Sequence, residues 1–237
     1  MADVQSLIRK NVRNLKPYSS ARDEFKGTAS VWLDANENPN NNGLNRYPDP
    51  LQKKLKERIS KLKSVPTKNI FLGNGSDEAI DLLFRGFCEP GKDKALICSP
   101  TYGMYQVSAD INDVEVIDVP LTSDWQLNTK SIQKHFAEPN LKLIFICSPN
   151  NPTGNSMNKE DVLALVSAFN GLVIIDEAYI DFSEVTSLST ELEKYNNLVI
   201  LQTLSKAWGL AGIRLGMAFA NTEIIDVLNR IKPPYNI

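Results

Sequence analysis

Leu172-Val173-Ile174-Ile175-Asp176-Glu177-Ala178-Tyr179 is a run of four aliphatic residues that stops at two carboxylates. Consecutive apolar residues leave no polar face. The run therefore reads as a strand buried on both sides, as in a parallel sheet covered by helices. Six other short apolar runs surround it: Ile70-Phe71-Leu72, Ala95 to Cys98, Val114 to Ile117, Leu143 to Cys147, Leu198 to Leu201 and Gly216 to Ala220. Helical patterns alternate with them. One carries Ile80, Leu83, Phe84 and Phe87 on a stripe. A second opens at Asn158, with Asp161 three residues on as in a capping box, and carries Val162, Leu165, Val166 and Phe169. A third follows Thr222 with Ile224, Ile225 and Leu228. Strand and helix in alternation predict an α/β fold with a mostly parallel sheet.

The 237 residues suffice for one large domain, or for one domain and part of another. A hydrophobic content of 42% suits a globular core, and a net charge of −2 implies no strong attraction to nucleic acid or anionic membrane. The most basic stretch, Lys53 to Lys63, places Leu51, Leu55, Ile59 and Leu62 on one helical face, which makes its lysines a solvated face. Cys88, Cys98 and Cys147 are far apart in apolar surroundings and read as reduced core thiols of a cytoplasmic protein. His135 is the only histidine and reads as a surface helix residue, which excludes a His-rich metal site. Met1 to Lys16 has no apolar signal core, and no segment is long enough to span a membrane. Residues 1–48 are rich in Asn, Pro and charge and read as an arm and a loop.

Five motifs carry chemistry. Lys206 sits in Leu204-Ser205-Lys206-Ala207-Trp208-Gly209-Leu210-Ala211-Gly212-Ile213-Arg214-Leu215-Gly216, just beyond an apolar strand. Ligands of open α/β sheets lie beyond the carboxyl ends of strands, and a partly desolvated lysine there can form an imine and later serve as a base. Asp176, at another strand end, can pair with a pyridinium nitrogen and keep it protonated. Tyr179 and Asn151, the latter in Asn151-Pro152-Thr153-Gly154, can donate to the phenolic oxygen of such a ring. Gly73-Asn74-Gly75-Ser76-Asp77 opens a helix whose N–H groups can bind phosphate, with Arg214 and Ser205 adding to the clamp. Tyr102, in Ser99-Pro100-Thr101-Tyr102-Gly103, can stack on the ring. Together these groups suit pyridoxal phosphate held as a Schiff base on Lys206.

A nucleotide hydrolase is the alternative from another class. Gly86-Phe87-Cys88-Glu89-Pro90-Gly91-Lys92 has phosphate-loop spacing, and Ile174 to Glu177 resembles an acidic ATPase strand. Three features oppose it. Asp93 stands where a metal-binding Ser or Thr is needed, the segment ends a helix instead of following a strand, and Pro90 removes a backbone donor.

Further phrases narrow the reading: Leu33-Asp34-Ala35-Asn36-Glu37-Asn38-Pro39, Arg46-Tyr47-Pro48-Asp49-Pro50 and Pro233-Pro234-Tyr235-Asn236. With these, the chain resembles pyridoxal-phosphate-dependent aminotransferases of the aspartate aminotransferase superfamily, fold type I. Within that group it is similar to the histidinol-phosphate aminotransferases. The resemblance implies a three-layer α/β/α large domain over residues 49–237, with a small C-terminal domain absent or incomplete. Residues 1–48 would then be an N-terminal arm contacting substrate and a dimer partner. It implies a homodimer in which Tyr47 crosses to the partner's cofactor phosphate, with Tyr18 and Asn36 near the substrate. It further implies amino transfer between L-histidinol phosphate and 2-oxoglutarate, giving imidazole acetol phosphate and L-glutamate in histidine biosynthesis. An aromatic aminotransferase or a threonine-phosphate decarboxylase shares the same cofactor motifs and is the nearest alternative. Because family members continue past Pro-Pro-Tyr-Asn, residues from Val227 onward are expected to lack a packing partner and to expose Leu228 and Ile231.

Overall fold

The computed structural model describes residues 2–19, 21–25 and 27–236. Seven strands, β1 (Ile70–Asn74), β2 (Lys94–Ile97), β3 (Glu115–Asp118), β4 (Leu141–Cys147), β5 (Leu172–Asp176), β6 (Leu198–Thr203) and β7 (Leu215–Ala220), form one sheet in the order β1-β7-β6-β5-β4-β2-β3. Every pairing is parallel except those of β7, which runs antiparallel to both β6 and β1. All seven apolar runs are therefore strands, and the sheet is mostly parallel.

The helices are α1 (Val4–Leu7), α2 (Lys10–Arg13), α3 (Ala21–Glu24), α4 (Lys53–Lys63), α5 (Ser76–Phe87), α6 (Met104–Ile111), α7 (Thr129–Lys134), α8 (Lys159–Ala168) and α9 (Thr222–Ile231). They cover both faces of the sheet. On β5, Leu172 and Ile174 join one core with residues of α5, α6 and α9, while Val173 and Ile175 join a second core with residues of α4, α7 and α8. Both sets are fully buried, which is why β5 has no polar face. Full burial of each such side chain stabilises by about 1.5–3 kcal/mol relative to exposure.

Local chemistry sets the helix starts. The Asn158 side chain accepts from Asp161 N at 3.0 Å and caps α8. The box is only half formed, because Asn158 N donates to Gln126 Oε1 instead of to Asp161. Asn221 caps α9 by accepting from Glu223 N at 2.9 Å.

Three expectations are corrected. First, α9 is covered: Val227 and Leu228 are buried, and Ile231 packs on the same core. Its apolar face lies against α5, α1 and α2, and Arg230 Nη1 donates to the carbonyls of Val12 and Arg13 at 3.1 and 2.9 Å. Second, the first residues of the chain, read as part of an arm and loop, pack on the sheet domain. Val4, Leu7, Ile8 and Val12 are core residues, and Arg9 N donates to Gly86 O. Third, α4 is turned differently from its leucine pattern. Ile59 is buried, but Leu51, Leu55 and Leu62 are exposed, and Lys56 is 8% exposed. Its long stem lies in a groove shared with Ile225 and Asp226 of α9, where the methylenes do the covering that a leucine was expected to do.

Candidate active site

The carboxyl ends of β2, β4, β5 and β6 and the amino end of α5 meet at one edge of the sheet. A cleft there is lined by Gly75, Ser76, Asp77, Tyr102, Asp176, Tyr179, Ser205, Lys206 and Arg214. Nine of the residues singled out in the sequence thus converge. Cys147, Ala178 and Thr203 complete the wall.

Asp176 ends β5 and is 3% exposed. Its Oδ2 accepts the Tyr105 hydroxyl at 2.8 Å, and its Oδ1 accepts Ala178 N at 3.0 Å. Burial pushes its carboxyl up to about 6, against the lowering effects of the Tyr105 hydroxyl and the Ala178 N–H. A cation brought against it would hold it ionised. Neighbouring Glu177 is also buried, and burial raises its carboxyl. It accepts Ser187 Oγ, Leu188 N and Gln202 Nε2, so it ties the segment after β5 to β6 and faces away from the cleft.

The amino end of α5 is built for an anion. Its N-cap is Gly75, at φ 83°, and no side chain caps the first turn. Asp77 and Glu78 are turned elsewhere: Asp77 Oδ1 accepts the Tyr102 hydroxyl at 3.1 Å, and Glu78 Oε2 accepts Asn74 N. The first-turn N–H groups are thus left facing the cleft. Arg214 stands over them. Among the described residues it makes no ion pair, and its guanidinium reaches only the carbonyls of Ala211 and Asn74, at 3.4 and 3.5 Å. A Cβ at Gly75 would lie 2.7 Å from Arg214 Nη2, so glycine is what keeps this space open. A phosphate fits this donor set.

Lys206 lies in the loop between β6 and β7. Gly209 N donates to Lys206 O at 2.9 Å, and Trp208 Nε1 donates to Asp181 Oδ2 at 2.8 Å, which pins the loop. Lys206 Nζ sits 5.4 Å from the centre of the Tyr179 ring. Lys206 is exposed and lines the cleft from a surface loop. The Tyr102 phenol is pushed up to about 12, by burial first and the Asp77 carboxylate second, and so stays a donor.

Other expected residues lie outside this cleft. Asn151 lines a neighbouring hollow with Pro149, Pro152 and Phe182, and Tyr179 separates the two. Tyr18, Asn36 and Tyr47 line a third hollow, formed by the N-terminal segment and Tyr235. There Tyr47 stacks on Tyr235 with centroids 4.6 Å apart, and Glu37 holds both Arg46 Nη1 and Tyr47 N at 2.7 Å. The motif reading missed Tyr105, Cys147 and Thr203. Tyr105 sits in the first turn of α6, while Tyr102 precedes the Gly103 cap, so no helical spacing joined the two in the sequence.

The phosphate-loop alternative fails on geometry. Gly86 is inside α5, where a Cβ would lie 2.9 Å from Val227. Among the described residues there is no acidic, His or Cys cluster that could hold a metal.

Residues 14–237 match the model of the aminotransferase class I and II family. The chain belongs to that family. Histidinol-phosphate aminotransferases of Parabacteroides distasonis and Cytophaga hutchinsonii are 58% and 56% identical to it, over 100% and 99% of its length and 68% of theirs. Among solved structures, the histidinol-phosphate aminotransferase of Clostridium acetobutylicum superposes with a TM-score of 0.73 at 28% identity, over 81% of this chain and 57% of that one. The Sinorhizobium meliloti enzyme, solved in complex with pyridoxal-5'-phosphate, gives a TM-score of 0.73 at 23% identity, over 80% of this chain and 52% of that one. The chain thus spans about two thirds of these curated relatives and just over half of these solved chains. This aminotransferase fold is the fold type I arrangement of the pyridoxal-phosphate transferases. No described helix is long and apolar enough to cross a membrane.

Proposed function

We propose that the protein is a pyridoxal-phosphate-dependent transaminase that moves an amino group between L-histidinol phosphate and 2-oxoglutarate, yielding imidazole acetol phosphate and L-glutamate in histidine biosynthesis. The observation that carries this reading is one cleft holding an accessible lysine, a buried strand-end carboxylate and an uncapped helix start under an arginine. The substrate choice rests on the relatives of 53–58% identity that bear the histidinol-phosphate aminotransferase name.

Pyridoxal phosphate, when bound, supplies an electron sink for a carbanion next to nitrogen. The residues have distinct tasks. Lys206 would offer the amine that holds the cofactor and, once released, would serve as the base that moves the proton from the substrate α-carbon to the cofactor carbon bearing the amino nitrogen. Asp176 faces the ring nitrogen and keeps its proton in place. Ser76, Ser205, Arg214 and the first-turn N–H groups of α5, those of Ser76 and Asp77 after the Gly75 cap, hold the phosphate. Tyr102 covers one side of the ring. Tyr179, which stands between the two hollows, and Asn151 beyond it flank the ring's phenolic edge.

The reading extends to a second subunit. Tyr47 reaches the partner's phosphate, and Tyr18 and Asn36 contact substrate in a homodimer. The three buried free thiols, Cys88, Cys98 and Cys147, fit a reducing compartment such as the cytoplasm.

Borohydride reduction of cofactor-loaded protein, followed by peptide mapping, tests the core of this reading. The label is expected on Lys206, and amino transfer from histidinol phosphate is expected to exceed that from aromatic amino acids. Label on another lysine, with the cofactor bound, would refute the assignment.

A further inference from the structure

Tyr105 has a fully buried side chain on α6, clamped between other rings. It stacks on Phe145 with centroids 5.0 Å apart, and it meets Tyr102 edge-on at 5.6 Å and 85°. Phe145 is itself stacked on Phe84. A phenol in such an apolar clamp is costly to bury unless its hydroxyl is bonded. The partner it finds is Asp176 Oδ2, at 2.8 Å.

Groups from several elements surround the Asp176 carboxylate: Tyr105 of α6, Asp77 of α5, Cys147 at the end of β4, the Ala178 N–H and Lys206 beyond β6. Among the described residues, two of these donate hydrogen bonds to it, the Ala178 N–H and the Tyr105 hydroxyl. The first is a fixed backbone group. The second is a side chain held by aromatic packing to the same ring that covers the cleft.

We propose that Tyr105 is a positioning residue that sets how strongly Asp176 competes for the proton of the cofactor's ring nitrogen, while its ring fixes the plane of Tyr102. This rests on the reading that the cleft holds pyridoxal phosphate. A carboxylate oxygen that already accepts a hydrogen bond is a weaker base toward a second partner. The hydroxyl of Tyr105 therefore leaves the shared proton on nitrogen and the ring fully cationic. Removing that hydroxyl shifts the proton toward the carboxylate. No proton is gained or lost; it moves between nitrogen and oxygen.

The test reads the bound cofactor by its spectrum, not by turnover. The visible band changes when the nitrogen joined to Lys206 loses its proton, and the midpoint of that change rises as the ring becomes less positive. Tyr105→Phe preserves the ring clamp and is expected to raise the midpoint by about half a pH unit or more, the scale of a lost charge-assisted bond. Incorporating 3-fluorotyrosine at position 105 keeps the shape, makes the phenol a stronger donor, and is expected to lower the midpoint. A purely structural role moves neither. Unchanged midpoints in both proteins overturn the proposal. If Tyr105→Phe does not fold, the fluorotyrosine protein decides alone. A parent protein with no visible band defeats the cofactor reading and this inference with it, whereas a band indifferent to position 105 defeats only the inference.

Discussion

Gly216 lies in direct backbone contact with Gly75: a Cβ at position 216 would come within 2.1 Å of the Gly75 carbonyl carbon and of Ser76 N. The second residue of β7 thus sets how closely the strand that follows Arg214 can approach the amino end of α5. Two halves of the anion cradle meet at this contact.

Gly216→Ala is therefore expected to push the first turn of α5 outward. Overpacking at a tight site costs about 1–3 kcal/mol, and the cradle should lose phosphate affinity along with it. Urea midpoints would give the first effect, and equilibrium dialysis with pyridoxal phosphate the second. Parent-like affinity in a folded variant would remove Gly216 from the cradle.

The buried carboxyl of Asp176 makes a pH prediction. Burial raises it to about 6 in the folded protein, while an unfolded chain releases that proton near about pH 3.9. The folded state then holds more protons between these values, so cofactor-free protein should lose stability as pH rises through that window. Asp176→Asn removes the titration. It is expected to be the more stable form at about pH 7.5, by on the order of 1–3 kcal/mol, with the gap closing by about pH 4. A gap that stays constant with pH would mean that Asp176 does not titrate in this range. With cofactor bound the ranking in activity reverses, because a neutral amide cannot support a cationic ring.

Lys56 gives the opposite charge and the opposite trend. It is lowered to about 8, by burial first and the charge of Lys232 second, against the raising effects of Asp49 and Asp226. The unfolded chain therefore binds more protons between about 8 and about 10.4, so stability rises with pH there and the buried charge is a burden below it. Lys56→Met keeps the stem that covers the groove. At about pH 7 it should stabilise the protein by on the order of 1–3 kcal/mol, and the gain should fade toward about pH 10. Destabilisation at neutral pH would show that the ammonium group has a favourable partner.

Tyr47 is half exposed and stacked on Tyr235. If it serves the neighbouring subunit, Tyr47→Phe should weaken cofactor binding by about 0.5–3 kcal/mol, the range for a hydrogen bond to a charged group. Mixing this variant with Lys206→Ala should restore one intact site per hybrid dimer. Binding at full parental affinity by a monomer would end the cross-subunit assignment.

The sheet was legible because burial on both faces leaves only apolar letters, as in Leu172 to Ile175. Lys206, Asp176 and Arg214 were legible because each follows or precedes such a run. What escaped depends on contacts between distant segments. The cover over Leu228 comes from α5 and from residues near Val12, which no local pattern announces. The burial of Lys56 reverses a leucine stripe, since a lysine stem can line a groove as well as a leucine. Tyr105 hid in plain view, because its partner Asp176 lies 71 positions away.

The reversed strand β7 also puts the site on a timetable. β1 and α5 are made early, yet Ile70 pairs with Phe219, and Gly75 N donates to Arg214 O. The cradle therefore stays open until the ribosome has delivered the last strand of the sheet. A nascent chain arrested before Arg214 should display the helix start and the carboxylate but retain no cofactor, and capture should begin only once β7 has slid between β6 and β1.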